Sequence, residues 1–238
     1  MKIFLNKLLG YYQFIVFAIS YLKPTSFNEV DFLKNYLRDG AVVFDVGANV
    51  GTYTKTLSKY LNFKDVHFFL FEPNKNIVKT LDNLKIKNSH NKTVVNKAVN
   101  NNPAEKDVTF FERNISAYSS LSENNLTENH KIIDSYQVNT TSLDLFIDQN
   151  NLSSIDLVKI DTEGLDFDVL KSLEKSFKQR KVKILKIELI PNSEDFYNIF
   201  KFLNMYDFEL SGILNLSHVG NKVLLFDAYF INKSEINE

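Results

Sequence analysis

The chain has 238 residues, 44% apolar and 24% charged, with a formal net charge of −1 at pH 7 and no cysteine. That length suits one α/β domain with appendages, burying roughly 70–75% of the surface the unfolded chain exposes. The composition excludes disulfides, thiolate metal sites and a cysteine nucleophile, gives no general electrostatic grip on nucleic acid, and fits a cytoplasmic protein.

Residues 1–25 are read as an apolar helical segment and 26–238 as one domain. Within "MKIFLNKLLGYYQFIVFAISYLK", the apolar stretch from Leu8 to Leu22 is broken by Gln13 and Ser20 and flanked by Lys2, Lys7 and Lys23. It falls short of the about 20 residues that a bilayer span needs. Three fates fit it: a helix packed on the domain, a helix lying on a membrane surface with its lysines at the headgroups, or a signal peptide. The surface helix would make residues 1–23 a peripheral membrane contact.

The domain opens with "SFNE", where Ser26 can cap a helix and Glu29 can reach back to it. Phe32, Leu33, Tyr36 and Leu37 recur at helical spacing up to Gly40. Strands and helices then alternate. "AVVFDV" (41–46) is a buried strand followed by a helix to about Leu61, and "VHFFLF" (66–71) is the next, followed by a helix marked by Ile77, Val78, Leu81 and Leu84. "TVVNKAV" (93–99) reads as a third strand, and the polar stretch from Asn100 to Tyr136 as loop around one extra strand, "DVTFFE" (107–112). "SIDLVKI" (154–160) is a further buried strand before a helix over 164–177, and "KVKILKIELI" (181–190) ends at Pro191 before a helix over 194–204. The closing strands, 208–213 and 222–231, have no helix between them and read as an antiparallel hairpin. The expected fold is therefore α/β, a doubly wound, mostly parallel sheet with helices on both faces and a C-terminal hairpin.

In such a sheet a ligand sits beyond the carboxyl ends of the strands, where strand order reverses. Carboxylates gather there: Asp45 at the first strand, Glu72 before Pro73 at the second, Asp161 and Glu163 after "LVKI", and Glu188 at the next strand. Like charges converging on one edge repel, which a purely structural sheet has no reason to accept. The loop Asp45-Val-Gly47-Ala-Asn49-Val-Gly51 lacks the glycines of a dinucleotide fingerprint. An acid there suits a cofactor carrying an ammonium and a sulfonium, and Glu72, 27 residues on, can accept both hydroxyls of an adenosine ribose. Those features suit S-adenosylmethionine, with its amino-acid end near Asp45 and Gly47 and its ribose on Glu72; Asn49, Gly51, Pro73 and Ala98 are further cofactor-binding candidates, Ala98 at the adenine edge. Asp161, Glu163 and Glu188 are the catalytic candidates, with Lys159 as their charge partner. One acid caps the following helix in the blander reading. Tyr118, Ser119 and Ser120 are candidate lid or acceptor contacts in a long loop. The four histidines, at 67, 90, 130 and 218, have no metal-ligand spacing, so no metal site is assigned.

"VVFDVGANVGTYT", "FEPN", "VNTTSLD", "DLVKIDTEG" and "KIEL" resemble, in order, the FkbM-type family of S-adenosylmethionine-dependent methyltransferases, over about Ala41 to Ile190. The resemblance implies a seven-stranded, Rossmann-like class I methyltransferase fold and O-methylation of a saccharide or related polyol. The acceptor would then be a small molecule or glycan, its proton removed by Asp161 or Glu188, or its hydroxyl acidified by Mg²⁺ held between those two. Two rival readings are a catalytically inactive cofactor-binding assembly partner and a nicotinamide-dependent oxidoreductase. The apolar N-terminus and the asparagine-rich insert around 100–130 depart from the family pattern, and both bear on the acceptor.

Overall fold

The computed structural model describes residues 28–87, 89–102, 107–114, 119, 121, 131–191, 193–219 and 222–235. The expectations for residues 1–25, and those for Ser26, Tyr118 and Ser120, lie outside the described residues. No helix among the described residues is long and apolar enough to cross a membrane.

The chain runs α1 (Glu29–Lys34), β1 (Val42–Val46), α2 (Thr52–Tyr60), β2 (Val66–Phe71), α3 (Lys75–Asp82), β3 (His90–Val95) and β4 (Ala98–Val99). It continues through β5 (Asp107–Arg113), β6 (Ile132–Thr141), α4 (Leu143–Gln149), β7 (Ile155–Ile160), α5 (Asp166–Lys171) and α6 (Glu174–Lys178). The final elements are β8 (Val182–Leu189), α7 (Glu194–Met205), β9 (Phe208–Val219) and β10 (Lys222–Asn232).

Seven strands form one sheet in the order β3-β2-β1-β7-β8-β10-β9, parallel from β3 to β8, with β10 antiparallel to both β8 and β9. This is the doubly wound sheet with a closing hairpin that the alternation of elements predicts. The strands buried on both faces read as nearly unbroken apolar runs, as parallel strands covered by helices must. One face packs Phe44, Val46, Phe71, Ile160, Leu185 and Phe226 beneath α4 to α7. The other packs Val43, Phe68, Leu70, Leu157 and Ile184 against Leu33, Leu57, Leu61 and Leu81.

The second face changes character towards the carboxyl ends of its strands. Asp45, Lys159, Lys186 and Tyr229 lie side by side on β1, β7, β8 and β10, in register, and all four are buried. Residues in register across a sheet share a face, so an apolar layer gives way to a row of charge and hydroxyl. Lys186 lies 3.1 Å from Asp227 and 3.4 Å from Glu29, and Tyr229 donates a hydrogen bond to that same Glu29. A single acid on α1 thereby anchors the helix to two central strands.

Six local expectations change. The cap of α1 is Asn28, whose side chain accepts from the N–H groups of Val30 and Asp31, and Glu29 turns to the sheet instead of completing a capping box. The helix also ends at Lys34, although Leu33 and Leu37 are both buried as its spacing predicts. The strand expected over 93–99 is two strands. β3 leaves the main sheet at Val95, and β4 joins a second, three-stranded sheet of order β4-β6-β5. The polar stretch before Tyr136 holds β6, which pairs antiparallel with β5 over Ile132–Asn139, and the hairpin strand β9 runs on to Val219. Finally, the helix expected over 164–177 is the pair α5 and α6, separated at Ser172, whose hydroxyl donates to Val169 O and accepts from Leu143 N–H.

Gly51 opens α2 with φ +79°, and a Cβ there would stand 2.6 Å from one methyl of Leu84 and 3.0 Å from one of Leu81. Close packing of the α2 turn on the leucines of and after α3 is what requires this glycine. Gly51→Ala is expected to lower stability by about 1–3 kcal/mol, combining left-handed strain with overpacking. Urea unfolding measures this, and an unchanged midpoint would contradict the packing role.

Candidate active site

Strand order reverses between β1 and β7, and an open cleft of about 680 Å³, mouth included, lies over the ends of the neighbouring strands. Its floor is the β1 loop meeting the β7 loop. Gly47 has φ +73°, and a Cβ on it would stand 1.9 Å from the carbonyl oxygen of Asp161, so no side chain fits. Asp161 N–H donates to Val46 O, and the Lys159 ammonium donates to Gly47 O at 2.9 Å.

Lys159 is buried between two carboxylates, 3.3 Å from Asp45 and 3.2 Å from Asp161. Burial alone would lower its pKa; the two carboxylates outweigh this and hold the ammonium at about 12. Asp45 is fully enclosed. One of its oxygens accepts from the Thr54 hydroxyl at 2.7 Å, and the other faces Lys159 without hydrogen-bond alignment. Lys159 thus pairs with the acids as the sequence suggests, whereas Asp45, expected at the cofactor, is not among the residues lining the cleft. Strand alternation turns Asp45 beneath α2, away from the cleft.

At the tip of β2, Glu72 lines the cleft yet is only 6% exposed. One carboxylate oxygen accepts from Asn49 N–H at 2.8 Å and the other from Asn74 N–H at 2.9 Å. Burial raises its pKa, and the two N–H groups oppose the rise. Each oxygen retains a second lone pair, so Glu72 can accept two hydroxyl donors. Asn49 takes the left-handed conformation at φ 49°, which aims its N–H at Glu72. Gly47, Asn49, Pro73 and Ala98 all line the cleft; Gly51 does not, and its expected cofactor contact gives way to the packing role above.

The opposite end of the cleft is acidic. Asp161, Thr162 and Glu163 line it, and Glu163 holds a left-handed backbone at φ 54°. Among the described residues, its carboxyl has neither a hydrogen bond nor an ion pair. Burial, then the charges of Asp161, Glu188 and Asp166, push it up to about 8. Glu188 lies outside the cleft lining, opposite Asp227 on β10. Burial and the charges of Asp161, Asp166 and Asp227 push it up to about 7. Glu163 is not a helix cap. Asp166 satisfies that turn, accepting from both the N–H and the hydroxyl of Thr162, while burial raises its own carboxyl to about 6. Among the described residues, no three His, Asp or Glu side chains converge on a metal-sized point.

The remaining walls come from residues the sequence did not single out for a site: Lys97, Val99, Phe110, Leu121 and Leu165. Phe110 was legible as part of a strand, but nothing local reveals that β5 folds over the cleft. Ser119 was singled out. It lines the cleft, and its hydroxyl accepts from Arg113 N–H at 2.9 Å.

A seven-stranded sheet of this order, with its cleft at the switch point, defines a class I methyltransferase fold. The Methyltransferase FkbM domain matches residues 45–210, and the chain belongs to the FkbM methyltransferase family. The FkbM methyltransferase from Methylobacillus flagellatus KT has a TM-score of 0.50 at 16% identity, over 85% of this chain and 50% of that one. The chain therefore spans about half the length of that relative. A precorrin-6y C5,15-methyltransferase from Geobacter metallireducens GS-15 has a TM-score of 0.44 at 14% identity, over 88% and 92% of the two chains. TrmK of M. capricolum, in complex with S-adenosyl-homocysteine, has a TM-score of 0.45 at 10% identity, over 88% and 70%. No curated protein matches the chain.

The raised carboxyls carry a pH signature. Between the ordinary value of 4.5 and the native value of about 8, Glu163 holds a proton in the folded state that the unfolded chain releases. Its contribution to stability is complete below 4.5 and is lost as pH rises through that window. Glu163→Gln mimics the protonated form, so the variant should gain stability over the wild type between pH 5.5 and pH 8.5. Urea midpoints at both pH values measure this. A constant difference would place Glu163 in an unperturbed environment.

Proposed function

We propose that this protein is an S-adenosylmethionine-dependent O-methyltransferase acting on a hydroxyl of a saccharide or related polyol. The observation that carries the reading is Glu72, a buried carboxylate at the tip of β2 that lines the cleft and accepts one backbone N–H on each oxygen, leaving acceptor capacity on both. An adenosine ribose presents two adjacent hydroxyl donors to such a group. The apolar wall of Phe71, Ala98, Val99 and Phe110 suits the adenine, and the glycine floor at Gly47 admits the amino-acid end. The cofactor's sulfonium supplies an electrophilic methyl group.

The protein's contribution is to bind, orient and deprotonate. A hydroxyl held about 3 Å from the methyl carbon is in a near-attack pose, and a base near neutral pKa removes its proton most effectively. Glu163 fits that role: it lines the cleft, has no competing partner among the described residues, and sits at about 8. Asp161, held by Lys159, would orient the acceptor, and Glu188 supports the raised pKa from the neighbouring strand. The carboxyls crowding the acceptor side repel a phosphate-bearing acceptor as they ionise, which supports a neutral polyol over nucleic acid. Mg²⁺ held between Asp161 and Glu188 is the competing way to activate the hydroxyl.

Two measurements test this reading. Glu72→Ala should weaken S-adenosylmethionine by about 1.5–3 kcal/mol in calorimetry, and unaltered affinity would remove Glu72 from the site. With radiolabelled cofactor and a panel of saccharides, Glu163→Gln should lower turnover about 10²–10⁴-fold while cofactor affinity holds. Retained turnover, together with loss on chelation and recovery with Mg²⁺, would move the chemistry to the metal.

A further inference from the structure

We propose that Glu112 and Tyr136, on the accessory β5–β6 ribbon, are positioning residues for the cofactor. They fix Asn74, and through its backbone N–H they hold the Glu72 carboxylate that receives the ribose. The inference rests on the ribose role given to Glu72 above.

Glu72 is held by two backbone N–H groups from separate loops, those of Asn49 and Asn74. Asn49 belongs to the β1 loop, fixed from below by Lys159 and the close approach of Gly47 to Asp161. Asn74 lies at the head of α3, its carbonyl accepting from Ile77 and Val78 N–H, and its buried side chain ties it both to the helix and to the ribbon.

The Asn74 side-chain oxygen accepts from Asn76 N–H at 2.9 Å, which caps α3, and from the Tyr136 hydroxyl at 3.0 Å. Its amide nitrogen donates to one oxygen of Glu112 at 3.3 Å, and the other oxygen accepts from the Asn76 amide at 2.7 Å. The ammonium of Lys75, between these two asparagines, sits 3.8 Å from the centroid of the Tyr136 ring. Three consecutive residues are therefore gripped by the ribbon. Capping α3 needs only the Asn76 N–H contact, so the contacts from Glu112 and Tyr136 exceed what the helix requires.

The ribbon's register shows why the grip falls here. Phe110 lies opposite Tyr136, and Glu112 follows Phe110 by two residues, so all three share a face. Phe110 lines the cleft beside Glu72, while Glu112 and Tyr136 reach the turn after Glu72. One face of the ribbon thus forms the wall of the cleft and clamps the group that anchors its ligand. Burial and the nearby Glu112 charge raise the Tyr136 pKa, which keeps its hydroxyl a donor.

Calorimetric titration with S-adenosyl-homocysteine and with 5′-methylthioadenosine tests the proposal, using the full chain. Glu112→Ala and Tyr136→Phe should each raise Kd for both ligands about 3–10-fold, the range for a lost hydrogen bond. Glu112→Gln keeps an acceptor and should recover most of the loss. In a Glu72→Gln background the effects of Glu112→Ala and Tyr136→Phe should disappear, because the path runs through that carboxylate. Unchanged Kd with a lowered melting temperature would reduce the ribbon contacts to a structural brace and overturn the proposal. Losses that persist undiminished in the Glu72→Gln background would overturn it too. If Glu72→Gln alone leaves affinity intact, the ribose reading itself fails and takes the proposal with it; if Glu72→Gln weakens binding and the ribbon variants do not, only the proposal fails.

Discussion

The ammonium of Lys159 is the contact on which the site depends. It is buried between Asp45 and Asp161 and donates to the carbonyl of Gly47, so one charge joins strand β1, strand β7 and both loops that floor the cleft. Desolvating an ammonium costs several kcal/mol, and only a surround of this kind offsets that cost. Removing one partner of such a pair costs about 3–5 kcal/mol, because the remaining charge stays buried. The arrangement therefore specifies how the two loops meet more than it adds to net stability. Gly47 completes the constraint, since any side chain there would collide with Asp161.

The neighbouring strand repeats the pattern. Lys159-Ile160-Asp161 on β7 and its extension lies beside Lys186-Ile187-Glu188 on β8, lysine against lysine and isoleucine against isoleucine. Lys159 is neutralised by Asp161 of its own tripeptide and by Asp45, whereas Lys186 is neutralised from outside its tripeptide, by Glu29 and Asp227. Glu163 and Glu188 are left without a cationic partner of their own among the described residues, which is why burial and like charge move both into the neutral range. The electrostatics of the acceptor side thus follow from which acids the two lysines already hold.

Much of the fold was legible because the central strands are buried on both faces. Runs such as "VHFFLF" and "IDLVKI" have no polar side to confuse their reading, and their limits fall within one residue of the structure. β6 was missed because most of it is exposed, with Asp134, Ser135 and Gln137 among its residues, and its partner lies far away in sequence. The break between β3 and β4 was hidden for a related reason: Asn96 stops the strand by donating its side-chain amide to the carbonyls of Glu72 and Pro73, a contact no local pattern announces. Of the residues expected at the site, Gly47, Asn49, Glu72, Pro73, Ala98, Asp161 and Glu163 line the cleft, and others do not. Asp45 and Gly51 flank the loop that meets the cleft, yet alternation buries one and helix packing claims the other. Phe110 and Glu112 show the converse. They sit in a recognisable strand, and only the tertiary docking of the ribbon gives them a role.

A crystal structure with S-adenosyl-homocysteine bound tests the central claim most directly, because it locates the ligand against every group named here. The account predicts both ribose hydroxyls within hydrogen-bond distance of the Glu72 carboxylate, the adenine against Phe110 and Ala98, and the homocysteine end over Gly47. A ligand seated elsewhere, or a ribose out of reach of Glu72, would contradict it.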